Sequence, residues 1–115
     1  METYKNLHSK EQRINESNRI TKKYPDRVPI IVCKSNNCTL SDIDKQKFLT
    51  PKDLTLGQFI YVIRKRIKLD STEALFIMVN NKVLPSKSCL GEIYNKDKDE
   101  DGFLYVIYTS ENTFG

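Results

Sequence analysis

Three thiols and one imidazole are the side chains on which this sequence could build nucleophilic or metal chemistry: Cys33, Cys38, Cys89 and His8. Their spacing argues against both. A structural zinc ion takes four Cys or His ligands, and Cys33 and Cys38 stand far along the chain from the third cysteine and from His8. A catalytic thiol needs a base within hydrogen-bond reach. His8 falls in an N-terminal segment expected to be loose, and no cysteine has an evident partner. The chain is therefore not expected to be an enzyme, and no metal or cofactor is expected. An odd cysteine count without a signal peptide points to reduced thiols in an intracellular protein. Nucleic-acid binding would call for aromatics interleaved with basic residues on an open sheet. Phe103 and Tyr105 lie on a predicted strand, but Asp99, Glu100 and Asp101 precede them, so no nucleic-acid partner is expected.

The remaining chemistry is that of a surface. A chain of 115 residues, 38% hydrophobic and 30% charged, has material for one modest core and little for a deep cleft. Its net charge of +4 sits in the first fifty residues, which hold ten Lys and Arg against six Asp and Glu. No apolar run approaches the roughly 20 residues needed to span a bilayer. The longest, Phe59 to Ile63, runs into Arg64, Lys65 and Arg66.

The elements that must carry this surface follow from local pattern. Ser9 to Gln12 has the form of a capping box opening a helix that runs to Lys23, with a thin apolar side of Ile14 and Ile20. Tyr24, Pro25 and Asp26 end it. Arg27 to Lys34 is rich in β-branched residues and reads as a strand, with Pro29 at its start or on a sheet edge. Lys45 to Pro51 is a second strand, antiparallel to the first because the connection is too short for a crossover helix. Thr55 to Gln58 forms another capping box. Leu56, Phe59, Ile60, Ile63 and Ile67 then trace one buried helical face. Leu75 to Val79 reads as a strand, Asn80 and Asn81 as a turn, Ser88 to Tyr94 as a short helix and Lys96 to Gly102 as a charged loop. Phe103 to Tyr108 is the last strand. A hairpin, a helix across it and two further strands is the β-grasp order.

Several stretches make a resemblance specific. They are Arg27–Ile31 (RVPII), Asp42–Lys45 (DIDK), Phe48 and Leu49 with Pro51, and Asp53–Phe59 (DLTLGQF). Further on come Ile63–Arg66 (IRKR), Phe76–Asn80 (FIMVN), Asp101–Tyr105 (DGFLY) and Glu111–Gly115 (ENTFG). In this order and spacing the chain resembles the autophagy-related ubiquitin-like modifiers, the family of GABARAP and microtubule-associated protein light chain 3. The resemblance implies an α+β, β-grasp (ubiquitin-like) fold with a four-stranded mixed sheet and two additional N-terminal helices. Residues 1–24 would be a helical extension packed on the body, 25–108 the ubiquitin-like domain and 109–115 a flexible conjugation tail.

The resemblance also implies a function. Family members are conjugated through the C-terminal glycine, here Gly115, to phosphatidylethanolamine on autophagic membranes, with Phe114 as a handle for the enzymes. The implied partners are ubiquitin-like activating and transfer enzymes and a processing or delipidating cysteine protease. That protease removes the residues many relatives carry beyond this glycine. Gly115 suits the chemistry: without a Cβ it can thread a narrow channel and present its carbonyl to an amine. Two acyl chains at about 0.8 kcal/mol per buried CH₂ make a stable anchor. The expected location is the cytoplasm, and the autophagosome membrane once lipidated; the soluble form is expected to be a monomer.

Cargo receptors of the family carry acidic peptides with an aromatic-x-x-aliphatic core, which add as a strand beside the second strand. By motif, the first pocket maps onto Glu16, Ile20, Pro29, Ile31, Lys47, Leu49 and Phe103. The second maps onto Phe48, Thr50, Pro51, Leu54, Phe59 and Val62. Arg27, Lys45 and Arg64 would meet acidic flanks. Thr50 departs from the aliphatic residue usual in relatives, Met78 from an aromatic, and Lys10 from a phenylalanine. The alternative reading is a non-lipidated adaptor that binds tubulin or receptors through its basic N-terminal helices.

Overall fold

Both capping boxes form as the sequence predicts. Ser9 Oγ accepts from the Gln12 N–H while Gln12 Oε1 accepts from the Ser9 N–H, and Thr55 and Gln58 repeat the exchange. In the computed structural model, which describes residues 3–36 and 38–110, these boxes open the two longest helices. The order is α1 (Tyr4–Leu7), α2 (Lys10–Lys23), β1 (Arg27–Lys34), β2 (Lys47–Pro51), α3 (Leu56–Arg66), β3 (Phe76–Val79), β4 (Lys82–Val83), α4 (Leu90–Asp97) and β5 (Leu104–Thr109).

The strands form one mixed sheet in the order β2-β1-β5-β3-β4, with β1 and β5 parallel and the other neighbours antiparallel. The α+β, ubiquitin-like architecture is the expected one, with five strands instead of four. The extra strand arises at Asn80 and Asn81, whose φ angles of 51° and 63° turn the chain back on itself. Two consecutive positive φ values match the twist of a tight hairpin, and Lys82 and Val83 return against Val79 and Met78.

Pro29 needs a second correction. It lies in β1, which is flanked by β2 and β5 and is not an edge strand. Its missing N–H costs nothing because of register. The Val32 N–H donates to the Gln46 carbonyl and the Lys52 N–H donates to the Asp26 carbonyl, so even-numbered positions face β2. Pro29 therefore points its nitrogen toward β5, whose pairing begins one residue later at Ile30 and Leu104.

Alternation along β1 divides the core in two. Val28, Ile30 and Val32 join Phe48, Val106 and Tyr108 beneath Leu56, Phe59 and Ile63 of α3. Ile31 faces the other way, joining Phe103, Ile20 of α2 and Tyr4 of α1. α4 closes the first core through Leu90 and Ile93 and reaches Asp97, beyond the expected end at Tyr94. β5 pairs through Thr109, so the ladder takes in the first residue of the expected tail.

The N-terminal helices are tied to the acidic turn before β5. Lys5 meets Asp99 at 2.7 Å, Lys10 meets Glu100 at 2.8 Å and Arg13 meets Asp101 at 2.7 Å. The last pair is buried. Asp101 also accepts from the Phe103 N–H and the Tyr105 hydroxyl, and its carbonyl accepts from Ser17 Oγ. Gly102 beside it has φ 90°, and a Cβ there would overlap Ser17 Oγ. His8 is the C-cap of α1 with its ring 4.5 Å from that of Tyr4, not part of a loose end.

Candidate peptide-binding edge

β2 is the end strand of the sheet: one side pairs with β1, and no strand among the described residues pairs with the other. An open edge presents a row of backbone donors and acceptors to any extended chain. Its side chains alternate toward two separate hydrophobic sets, so two different surfaces flank it.

On the α2 side, Leu49 packs half-buried against Ile20, Ile31 and Phe103. Pro29 is buried and sits opposite Leu49 in the ladder. Lys47 Nζ reaches Glu16 Oε1 at 3.2 Å, joining β2 to α2 across the top of this cluster. Glu16 is also held by Arg19 at 2.6 Å. The Arg19 hydrogen bonds, then those of Lys47, draw the Glu16 carboxyl below its ordinary range. All seven residues predicted for the first pocket thus lie around one hydrophobic floor with a charged rim.

On the α3 side, Phe48 and Phe59 meet edge to face with ring centroids 5.5 Å apart, and both are buried. Leu54 and Val62 pack half-buried against that core, and Pro51 is exposed. Thr50 points to the same side as Phe48 and is 7% exposed. Its Oγ1 has no hydrogen-bond partner among the described residues. In this second set the Phe48 and Phe59 rings pack against each other in the core that α3 covers.

The three predicted flank cations are placed differently. Lys45 is exposed, with Nζ 5.1 Å from the centre of the Phe48 ring. Arg27 is exposed at the start of β1, opposite Pro51. Arg64 is turned away: its Nη1 donates to the carbonyls of Asp70 and Glu73 at 3.0 and 2.7 Å, fastening the loop after α3. Gly115 and Phe114 lie outside the described residues.

Sequence reasoning missed the cluster of Arg13, Ser17, Asp101 and Tyr105 that fixes α2, and with it Ile20 and Glu16, over the first pocket. No short-range signal joins residues so far apart in the chain. Burial, then the hydrogen bond to Asp101, raises the Tyr105 hydroxyl far above the usual tyrosine range, so it remains a donor. Cys33 packs half-buried against the hydrophobic set of Tyr4, Ile20, Ile31 and Phe103, and burial pushes its thiol up.

A β-grasp sheet with a helical N-terminal cover defines a ubiquitin-like α+β protein. A sequence model described as "Autophagy protein Atg8 ubiquitin like" matches residues 12–115. Autophagy-related protein 8a of Arabidopsis thaliana is 54% identical over 105 residues, 91% of this chain and 86% of its own length. Autophagy-related protein 8B of Oryza sativa subsp. indica is 52% identical over 113 residues, 98% of this chain and 95% of its own. The crystal structure of Trypanosoma brucei ATG8 superposes with a TM-score of 0.91 at 46% identity, covering 100% of this chain and 99% of the other. The chain belongs to the Atg8 family of ubiquitin-like autophagy proteins.

Proposed function

We propose that this chain is a ubiquitin-like modifier, joined through Gly115 to phosphatidylethanolamine on autophagic membranes, that recruits receptors by binding acidic aromatic-x-x-aliphatic peptides along β2. Family membership supports the conjugation step. The open edge of β2 between two hydrophobic sets carries the recognition step. A peptide strand added there would make backbone bonds to β2 and drop its aromatic side chain toward Ile20, Ile31, Leu49 and Phe103. Its aliphatic side chain would enter beside Leu54 and Val62.

An aromatic anchor burying about 150–250 Å² is worth roughly 4–6 kcal/mol gross. Association costs consume much of that, which leaves micromolar affinity. Lys45, Lys47 and Arg27 favour acidic flanks. No helix among the described residues is long and apolar enough to cross a membrane, so the lipid supplies the anchor in this reading. The chain itself does no catalysis; the activating and transfer enzymes and the cysteine protease do.

Deletion of Gly115 tests the conjugation step. The unaltered protein is expected to form a thioester with its transfer enzyme and to move to membranes. The variant is expected to do neither while still binding the peptide. Thioester formation and membrane recruitment that survive the deletion refute the proposal.

A further inference from the structure

The floor of the first pocket is covered. Ile31 and Phe103 are 0% exposed, so an aromatic ring reaches them only by parting the hydrophobic set around them. Tyr4, Ile20, Leu49, Cys33 and Tyr105 complete that set. Four of the five are firmly held. Leu49, Cys33 and Tyr105 stand on paired strands. Ile20 stands on α2, which the buried pair of Arg13 and Asp101 and the Ser17 hydroxyl pin to the turn before β5. Tyr4 stands on α1, a single turn of four residues, too short to hold itself together. Its ties are the Thr3 cap on Asn6 and the pair of Lys5 and Asp99, whose side chains are 46% and 28% exposed. Exposed pairs hold weakly. The Tyr4 ring meets Phe103 edge to face at 5.3 Å, with the His8 ring 4.5 Å away. Thr3 before it lines a small cleft with Cys33 and Gln46, beside the start of β2. Burial, then the Glu16 carboxylate at the pocket rim, raises the Tyr4 hydroxyl above the usual tyrosine range.

We propose that Tyr4 is a specificity-determining residue of the first pocket: it is the side chain that gives way to an incoming aromatic ring, and its bulk sets how broad a ring the pocket admits. The proposal rests on the peptide-binding reading of the β2 edge and adds to it what selects the aromatic anchor. A phenyl ring needs a small displacement of Tyr4 from Phe103. An indole is broader and needs a larger one, which strains α1 against its cap and its bridge to Asp99. Close packing makes such displacements costly in proportion to size. A smaller side chain at position 4 removes the obstruction and leaves room that an indole fills better than a phenyl ring.

The test is a ratio of affinities. Two acidic peptides differ only in phenylalanine or tryptophan at the first core position. Each is titrated calorimetrically into the wild-type protein and into Tyr4→Phe, Tyr4→Leu, Tyr4→Ala and Tyr4→Trp variants, with circular dichroism melts to show that each is folded. Tyr4→Phe keeps the ring and is expected to keep the wild-type ratio. Tyr4→Leu and Tyr4→Ala are expected to swing the ratio toward tryptophan by about tenfold, the low end of what one methylene-sized change in an apolar pocket does. Tyr4→Trp is expected to swing it toward phenylalanine. Tyr4→Leu and Tyr4→Trp, which keep apolar cover over Phe103, carry the test if Tyr4→Ala does not fold. An unchanged ratio in the folded variants, or an equal loss of affinity for both peptides, marks Tyr4 as a purely structural residue and overturns the proposal while leaving the edge reading intact. Failure of both peptides to bind the wild-type protein overturns the edge reading, and the proposal with it.

Discussion

Replacing Asp101 by alanine should loosen the N-terminal helices and destabilise the whole domain. The Asp101 side chain is 0% exposed and that of Arg13 12% exposed, so their 2.7 Å contact is almost fully shielded from water. Alanine leaves the guanidinium, the Phe103 N–H and the Tyr105 hydroxyl without their acceptor. Removing one partner of a buried ion pair costs about 3–5 kcal/mol. The edge of Arg13 that reaches water favours the lower end, about 3 kcal/mol. With an unfolding entropy of about 2.1 cal/mol/K per residue, a chain of this length loses about 4 °C of Tm per kcal/mol, or about 12 °C in all. Thermal and urea melts followed by circular dichroism measure this. Glu100→Ala is the control: it breaks an exposed pair with Lys10, where side-chain exposures are 82% and 58%, and should leave the midpoint unchanged. Equal midpoints for Asp101→Ala and the wild type would refute the view that this cluster holds α2 in place.

Three further outcomes follow from the same geometry. Gly102→Ala places a Cβ at positive φ and against Ser17, which should cost about 2–4 kcal/mol in urea unfolding. Glu16→Gln releases Lys47 from its 3.2 Å bridge. Affinity for an acidic peptide should rise about two- to fivefold at low salt, and the gain should shrink at high salt in fluorescence anisotropy. The third concerns acid. Glu16 is held below the ordinary value of 4.5, and Asp42 and Asp70 below 3.8, chiefly by hydrogen bonds from Arg19, Lys34 and Thr72. Their folded values are depressed, so their contribution is present in full above the unfolded values and is lost as pH falls through the folded ones. Urea midpoints should hold steady from pH 7 to 5 and drop below about pH 4.

Much of the molecule was legible in its sequence for local reasons. The α3 face, both capping boxes and the bounds of β1 follow from side-chain period and hydrogen-bonding chemistry within a few residues. The Asn80–Asn81 turn was legible too, but β4 was not, because two exposed residues carry no alternation to read. Pro29 misled because proline reports a missing donor without saying on which side of the strand it would have pointed. The acidic run at residues 99–101 reads in the sequence only as part of a charged loop. Its partners Lys5, Lys10 and Arg13 lie at the far end of the chain and are brought to it only by packing of α1 and α2 on the sheet. The first pocket was traced by motif, and its residues converge. At Thr50 the residue type is visible in the sequence, but the burial of its unpaired hydroxyl appears only in the folded protein. Arg64 looked available as a flank cation, yet the loop after α3 uses it.

The central claim is that Gly115 is handed to a membrane lipid. Mass spectrometry of the protein recovered from the membrane fraction of starved cells tests it most directly. The account predicts a C-terminal peptide whose Gly115 carries phosphatidylethanolamine through an amide bond. A C-terminal peptide found only with a free glycine carboxylate, in cells where autophagy is running, would contradict it.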